Sequence, residues 1–559
     1  MEAPSTVAGL LEARSSDDRR GLVSGDRSWT WKEVVEESRA RAAIAERARS
    51  GDQLHIGVLL DNVPEYLFWL GGAALAGAVV VGINPTRRGP ELARDIRFTE
   101  CRMIVTDAAG AQLLDGLDTG VPESEVIRTD EAQAGGHFAN RGGGADSEVA
   151  PQSHPEVSPS DLFVLLFTSG TTGSPKAVRC TQGRLAAIGE RASEIYGFER
   201  DDVCYCPMPL FHGNAVMALW APALYVGACL ALNGRFSASR FKDDVVRFGA
   251  TRFTYVGKAL AYVLATPEHA SDSSSSLRVG FGTEASARDR AEFERRFGCN
   301  LVEGYGSSEG GLAITRTSDT PPDALGMPAD GVAVLDPDTG IECKRAVIDA
   351  TGIITNSKDA VGELASRSGA MAFEGYFKNP EADNARVNDG WYWTGDLAYR
   401  DEAGFVYFAG RKDDWLRVDS ENFAAAPVER ILERHPDVVA SAVFPVPDAK
   451  SADQVMAAVE LRPGTSADGF CSGLAGFLSE QPDLGTKWAP RFVRIVPALP
   501  LTATGKITKA GLRKERWSCS DKVIWRPERA AGDFEFLEAG DIESLEDEFR
   551  RHGRSAMLS

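Results

Sequence analysis

Residues 162–176 read LFVLLFTSGTTGSPK, an apolar run that breaks into a loop of glycines, hydroxyl side chains and one cation. The apolar half, Leu162 to Phe167, has the length and composition of a buried strand. In Thr168-Ser169-Gly170-Thr171-Thr172-Gly173-Ser174-Pro175-Lys176 the glycines let the backbone turn tightly and bring successive N–H groups to one point, which suits a polyphosphate. The hydroxyl groups add donors, and Lys176 adds a positive charge. The spacing is not that of the Walker A loop, and Pro175 stands where that loop has glycine.

Working outward, short β-branched runs alternate with helical patterns, as at 55–60, 102–106 and 229–232, which is the mark of α/β architecture. At 559 residues the chain exceeds one compact core and divides into domains. A charged stretch, Gly410-Arg411-Lys412-Asp413-Asp414, separates a long N-terminal part (1–410) from a shorter unit (411–515). The segment 516–559 is strongly charged and reads as a solvated tail, with a short amphipathic helix as the alternative. Polar, Gly- or Ser-rich runs at 135–146 and 271–276 read as surface loops.

Residues 66–83 (YLFWLGGAALAGAVVVGI) carry no charge and approach the length of a membrane span. The preferred reading is a buried Gly/Ala-rich helix followed by a strand near Val79–Val81, ended by Asn84-Pro85. The net charge of −20 excludes nucleic acid as a partner, since its phosphates need clustered cations. Nine cysteines are scattered, with one close pair at Cys204 and Cys206, and the seven histidines supply no zinc spacing. Reduced thiols in a cytoplasmic protein are expected, with peripheral attachment to a membrane left open.

The run TSGTTGSPK resembles the AMP-binding signature of the adenylate-forming superfamily, which includes acyl-CoA synthetases, peptide-synthetase adenylation domains and firefly luciferase. Further segments match the family's motifs in order. Pro209-Leu210-Phe211-His212 resembles the border of the acyl pocket. Gly282-Thr283-Glu284-Ala285 resembles the strand end that flanks adenine, and Gly304-Tyr305-Gly306-Ser307-Ser308-Glu309 resembles the YGxTE motif, with Ser308 in place of Thr. Trp393-Thr394-Gly395-Asp396, Gly410-Arg411 and Pro500-Leu501-Thr502-Ala503-Thr504-Gly505-Lys506 resemble the TGD, hinge and PxTxxGK motifs.

The resemblance implies a large multi-sheet α/β N-terminal domain and a small mobile α+β C-terminal domain. It also implies two half-reactions with ATP, Mg²⁺ and coenzyme A. A carboxylate attacks the α-phosphorus of ATP, and a thiol then takes the acyl group from acyl-AMP. The loop residues Thr168, Ser169, Gly170, Thr171, Thr172, Gly173 and Lys176 would cradle pyrophosphate, and Ser308 would contact the α-phosphate. Glu309 would bind Mg²⁺, Asp396 and Arg411 the ribose, and Tyr305 with Gly306, Gly282, Thr283 and Glu284 the adenine. Lys506 would bridge the forming acyl–phosphate bond, and Asp413 would be the hinge.

Residues 255–264 (YVGKALAYVL) are similar to the fatty-acid-transport/very-long-chain branch, and the latter part of the chain resembles actinobacterial ligases of steroid side-chain acids. That resemblance implies a bulky lipid or steroid acid, with His212, Tyr255, Gly257 and Gly280 lining the acyl pocket. Gly257, Gly280 and Gly282 would widen that pocket, although glycines in strands also mark bulges. Asp419-Ser420 replaces the glycine usual before Glu421-Asn422, which bears on the thioester step. Alternatives are an enzyme loading an acyl or amino acid onto a carrier protein, and a non-catalytic binding protein. A homodimer is left open.

Overall fold

The uncharged run at 66–83 folds into two buried elements. A helix, Pro64–Ala76, begins on proline and stops at Gly77, whose φ of 61° lies in the left-handed region. Proline needs no N–H at a first turn, and glycine has no Cβ to clash at a left-handed cap. The strand Val79–Gly82 follows, buried throughout. The glycines serve close packing, because a Cβ at Gly71 would stand 2.2 Å from Ser38 Oγ. Ser38 lies on helix Trp31–Ala48, whose first turn is closed by a reciprocal Thr30–Glu33 capping box. Among the described residues no helix is long and apolar enough to cross a membrane.

The computed structural model describes residues 4–558 apart from 50, 52, 131–155, 169–175, 351–353, 412–414, 419–420, 451–452, 486, 503–504 and 528–531, with 421–422 described by backbone alone. The expected loop at 135–146, most of the phosphate loop, Asp413 and Asp419-Ser420 therefore lie outside the described residues.

A six-stranded sheet runs in the order Val126–Arg128, Met103–Thr106, His55–Leu59, Val79–Gly82, Leu162–Thr168, Lys176–Thr181. Its strands are parallel except the last, which returns antiparallel from the phosphate loop. An eight-stranded sheet runs from Ala313–Thr315 through Asn300–Gly306, Val279–Thr283, Arg252–Val256, Val203–Tyr205, Cys229–Leu232 and Arg20–Ser24 to Arg27–Thr30. The main core packs both sheets through shared helices, with Trp69, Val105, Phe163, Leu210 and Leu230 in one contiguous cluster. A five-stranded sheet centred on Trp391–Arg400 follows. The large mixed α/β unit expected from the sequence is therefore present.

A second five-stranded sheet builds the C-terminal part, from Val438–Pro447 through Asp453–Leu461 and Phe492–Val496 to Lys522–Trp525 and Glu535–Phe536. The solvated tail expected beyond 516 is overturned here. Lys522–Trp525 pairs with Phe492–Val496, and helix Ala539–Arg551 buries Leu545 and Phe549. Trp517 stacks on Phe492 at 4.8 Å and meets Phe549 at 6.4 Å between ring centroids. Leu545 and Phe549 lie one turn apart on the same helical face, so the many charges around them occupy the other face.

The Ser-rich run at 271–276 is largely a surface loop, as expected, but it is anchored by one buried residue. Asp272 is 1 % exposed and bonded by Arg296 at 2.6 Å and Lys242 at 2.8 Å. Burial of an ion pair requires this kind of saturation, which a serine-rich composition conceals.

The C-terminal segment should contribute measurably to stability. Phe549→Ala should destabilise the C-terminal unit by about 3–5 kcal/mol, the usual cost of truncating a buried aromatic. Denaturant unfolding followed by Trp fluorescence should show a lower midpoint, and an unchanged midpoint would mean that the helix adds no packing energy.

Candidate active site

The described ends of the phosphate loop are the paired residues Thr168 and Lys176, on adjacent antiparallel strands. The Lys176 ammonium lies 5.8 Å from the centre of the Tyr376 ring. Tyr376 donates its hydroxyl to Glu309 Oε1 at 2.9 Å and receives Arg386 Nε at 3.2 Å. Arg386 also reaches the Trp393 carbonyl at 3.1 Å. A buried carboxylate, a phenol and a guanidinium thus tie the loop to the strand that carries Asp396. Sequence reasoning missed Tyr376 and Arg386. A signal existed in Gly375-Tyr376-Phe377-Lys378-Asn379-Pro380, an aromatic pair set in turn-forming residues.

Two neighbouring strands of the centred sheet set Asp396 directly opposite Arg411. Arg411 Nε stands 3.4 Å from Asp396 Oδ1, and Tyr305 donates its hydroxyl to Oδ2 at 2.6 Å. Burial pushes the Asp396 carboxyl up, and Arg411, the Tyr305 hydroxyl and Lys506 oppose that. Tyr305 therefore has its hydroxyl engaged and its ring at the end of strand Asn300–Gly306, next to Gly306.

His212 caps the short helix Gly213–Ala215, its Nδ1 accepting from the Asn214 N–H at 3.3 Å. Burial and then Lys506 lower its imidazole to about 4, so it is neutral at physiological pH. Gly213 lies against Ser308, since a Cβ there would come within 2.5 Å of Ser308 Oγ. Arg184 holds the Ser308 carbonyl at 2.7 Å. The geometry brings His212, Ser308 and the adjoining Glu309 together.

Lys506 arrives from the C-terminal part on a hairpin. The Thr502 N–H bonds the Lys506 carbonyl at 2.7 Å, and the Thr508 N–H bonds the Pro500 carbonyl at 2.9 Å. At the tip, Lys506 Nζ meets Glu284 Oε1 at 2.6 Å. Burial would raise the Glu284 carboxyl, but Lys506, Arg411 and His212 hold it below the ordinary carboxylate range. Glu284 follows strand Val279–Thr283 and has a φ of 69°, unusual for any residue but glycine.

The glycines expected to widen an acyl pocket, Gly257, Gly280 and Gly282, each lie against other atoms of the chain. A Cβ at Gly280 would stand 2.5 Å from Phe253, and one at Gly282 2.4 Å from Tyr255, so aromatic rings fill the space those glycines leave. Tyr255 is itself buried, bonded through its hydroxyl to Glu303 at 3.2 Å. Gly257 packs against main chain, where a Cβ would fall 2.0 Å from the Glu284 carbonyl oxygen. Of the residues expected to line the acyl pocket, His212 lies near Lys506, Glu309 and Glu284. Tyr255, Gly257 and Gly280 are packed against neighbouring chain, Gly257 directly against Glu284.

The arrangement gathers cations from three segments (Lys176, Arg411 and Lys506) around carboxylates and a neutral imidazole. Such a site can bind an anionic phosphate chain and offset charge developing on it.

Comparison with known proteins agrees with this geometry. The pattern of the AMP-binding enzymes matches residues 11–377, and that of the AMP-binding enzyme C-terminal domain matches 427–506. A steroid-22-oyl-CoA synthetase of Rhodococcus jostii (strain RHA1) is 52% identical over 99% of both chains. The medium/long-chain-fatty-acid–CoA ligase FadD17 of Mycobacterium tuberculosis (strain ATCC 25618 / H37Rv) is 44% identical over 93% of this chain and 98% of that one. In fold, the chain superposes on an anthranilate CoA ligase holding anthranoyl-AMP with a TM-score of 0.78, at 23% identity over 92% of this chain and 97% of that one. It superposes on ATP-bound MatB from Rhodopseudomonas palustris with a TM-score of 0.75, at 23% identity over 91% and 98%. With its motifs, its sheets and its whole length matched in this way, the chain belongs to the AMP-binding enzymes and is an AMP-forming acyl-CoA synthetase.

Proposed function

We propose that this synthetase activates a steroid side-chain acid, and that the residues gathered around Lys506 carry the adenylation half-reaction. The substrate reading is supported by the identity to the steroid-22-oyl-CoA synthetase along the whole chain. A long-chain fatty acid is the second reading, favoured by the similarity to FadD17. Cytoplasmic ATP and coenzyme A are the co-substrates.

The observation that carries the mechanism is the delivery of Lys506 to Glu284 beside His212. A carboxylic acid is already ionised at pH 7, so the first step needs no general base. It needs the carboxylate oxygen held in line with the α-phosphorus, and cations to offset charge on the phosphates. His212 is neutral and so packs against the acid without neutralising it. Lys506 is then the cation at the forming acyl–phosphate bond. Its flexible ammonium would exchange Glu284 for an α-phosphate oxygen.

The loop 168–176 would hold the departing pyrophosphate, and Ser308 the α-phosphate. Asp396 and Arg411 would take the ribose hydroxyls, with Tyr305 placed against adenine by its bond to Asp396. Among the described residues no group of three or more His, Cys, Asp or Glu side chains gathers for a metal. A magnesium ion would therefore rest on Glu309 together with nucleotide oxygens. That suits a hard cation bound by one carboxylate and substrate phosphates, and it would neutralise phosphate charge. Tyr376 would aim the Glu309 carboxylate. For the second step we propose that the part beyond residue 411 turns about Asp413 and withdraws Lys506, opening the acyl carbonyl to the thiol.

The first test is ATP-dependent pyrophosphate release against acids from acetate through palmitate to steroids with C5 and C8 side chains, with and without coenzyme A. Highest turnover with a steroid acid, stimulated by coenzyme A, is expected. Preference for palmitate would select the fatty-acid reading, and release without any acyl-CoA would defeat the proposed acceptor. Lys506→Ala should slow acyl-AMP formation by about a thousandfold, equal to about 4 kcal/mol of transition-state stabilisation, with ATP affinity nearly unchanged. Undiminished adenylation would remove Lys506 from the mechanism. Tyr376→Phe should raise the Mg²⁺ concentration needed for half-maximal rate severalfold, and an unaltered Mg²⁺ dependence would separate Tyr376 from the metal.

A further inference from the structure

The hairpin that carries Lys506 is anchored at its root as well as its tip. Its root is Leu499, a buried residue directly before Pro500. The Leu499 N–H donates to Glu460 Oε2 at 3.1 Å. The same oxygen receives the Tyr262 hydroxyl at 3.2 Å and lies 3.4 Å from Lys258 Nζ. Glu460 belongs to strand Asp453–Leu461 of the C-terminal sheet, whereas Lys258 and Tyr262 stand one turn apart on helix Gly257–Leu264 of the N-terminal part. One carboxylate oxygen therefore joins the two parts of the chain and holds the first residue of the lysine hairpin.

The tip meets the start of the same helix. A Cβ at Gly505 would stand 2.9 Å from Val256 Cγ2, and Gly257 abuts the carbonyl of Glu284, the partner of Lys506. Residues 256–262 thus form a template for both ends of the hairpin. We propose that Lys258 and Tyr262 are positioning residues that act through Glu460 to fix Lys506 for adenylation. The inference rests on the proposed movement of the C-terminal part between half-reactions.

Burial makes the contact costly to break. The side chains of Lys258 and Glu460 are 7% and 10% exposed, so removing either partner leaves a charge in a poorly hydrated place. Asp289 and Glu433 add negative charge around Lys258. The other bonds across this junction differ in kind. Arg288 donates to the carbonyls of Glu433 at 2.7 Å and His435 at 3.2 Å, at the end of a helix rather than at the hairpin. A loss at Arg288 would loosen docking in general, whereas a loss at Glu460 would release Leu499 and with it the register of Lys506. When the C-terminal part turns away, Lys258 and Glu460 separate into water, and the thioester step no longer draws on their contact.

The test separates the half-reactions in Lys258→Met and in the milder Tyr262→Phe, which removes one hydroxyl. Wild-type turnover is established first, so that an inactive enzyme indicts the proposed function and not this inference. Single-turnover pyrophosphate release with the preferred acid should slow about tenfold in Lys258→Met and about threefold in Tyr262→Phe, with KM for ATP and acid little changed. Conversion of supplied acyl-AMP to acyl-CoA should stay within about twofold of wild type, which also shows that the variants fold. Lys258→Arg should recover part of the adenylation rate, because it restores the charge opposite Glu460. Equal losses in both half-reactions, a loss confined to the thioester step, or no loss in either variant would overturn the inference.

Discussion

In the proposed mechanism the adenylation geometry depends on the ion pair between Lys506 and Glu284, yet that pair is too weak to maintain it. Its side chains are 29% and 49% exposed, and a pair so open to water contributes at most about 1 kcal/mol. That weakness suits the proposed exchange, in which Lys506 would give up a protein carboxylate for a phosphate oxygen. The holding force has to come from elsewhere. The buried Lys258–Glu460 contact, the Tyr262 hydroxyl and the packing of Gly505 against Val256 supply it. The protein thus separates strength from chemistry. A desolvated contact fixes the backbone, and an exposed one leaves the reacting ammonium free to change partners.

Electrostatics follow the same division. His212 is half-buried and neutral, whereas Glu284, with cations around it, is held below the ordinary carboxylate range. At Asp396 burial favours protonation, and Arg411, Tyr305 and Lys506 oppose it. Each of these carboxylates has a cation or a hydroxyl as its partner. Those partners sit far away in sequence: Tyr305 reaches Asp396, and Tyr376 reaches Glu309.

That distance explains which parts of the molecule were legible in the sequence. Strand and loop at 162–176 could be read because apolar run, glycines and lysine are adjacent, and local chemistry fixes local conformation. The motif residues could be read by resemblance, and the structure brings Lys506, Glu284, His212 and Ser308 to one place. Tyr376 and Arg386 stayed hidden because their role exists only after strands from different segments meet. The C-terminal segment was misjudged because Leu545 and Phe549 are outnumbered by charges, although their spacing is helical. Gly280 and Gly282 misled in the opposite sense. A missing side chain suggests space, but Phe253 and Tyr255 on the neighbouring strand occupy it.

Glu284 shows why the template at 256–262 has little freedom to vary. A positive φ in a residue with a side chain costs on the order of 1 kcal/mol or more, and persists only where the surroundings impose it. Here they do. Thr283 is held in register opposite Val256, and the carbonyl of Glu284 presses on Gly257, where any side chain would collide. The strained turn directs the Glu284 carboxylate toward Lys506, and the residue after Gly257 is Lys258, which secures the hairpin's root. A required glycine and a buried lysine therefore occupy adjoining positions, with the strained Glu284 packed against the glycine, because one short segment has to set both ends of the hairpin.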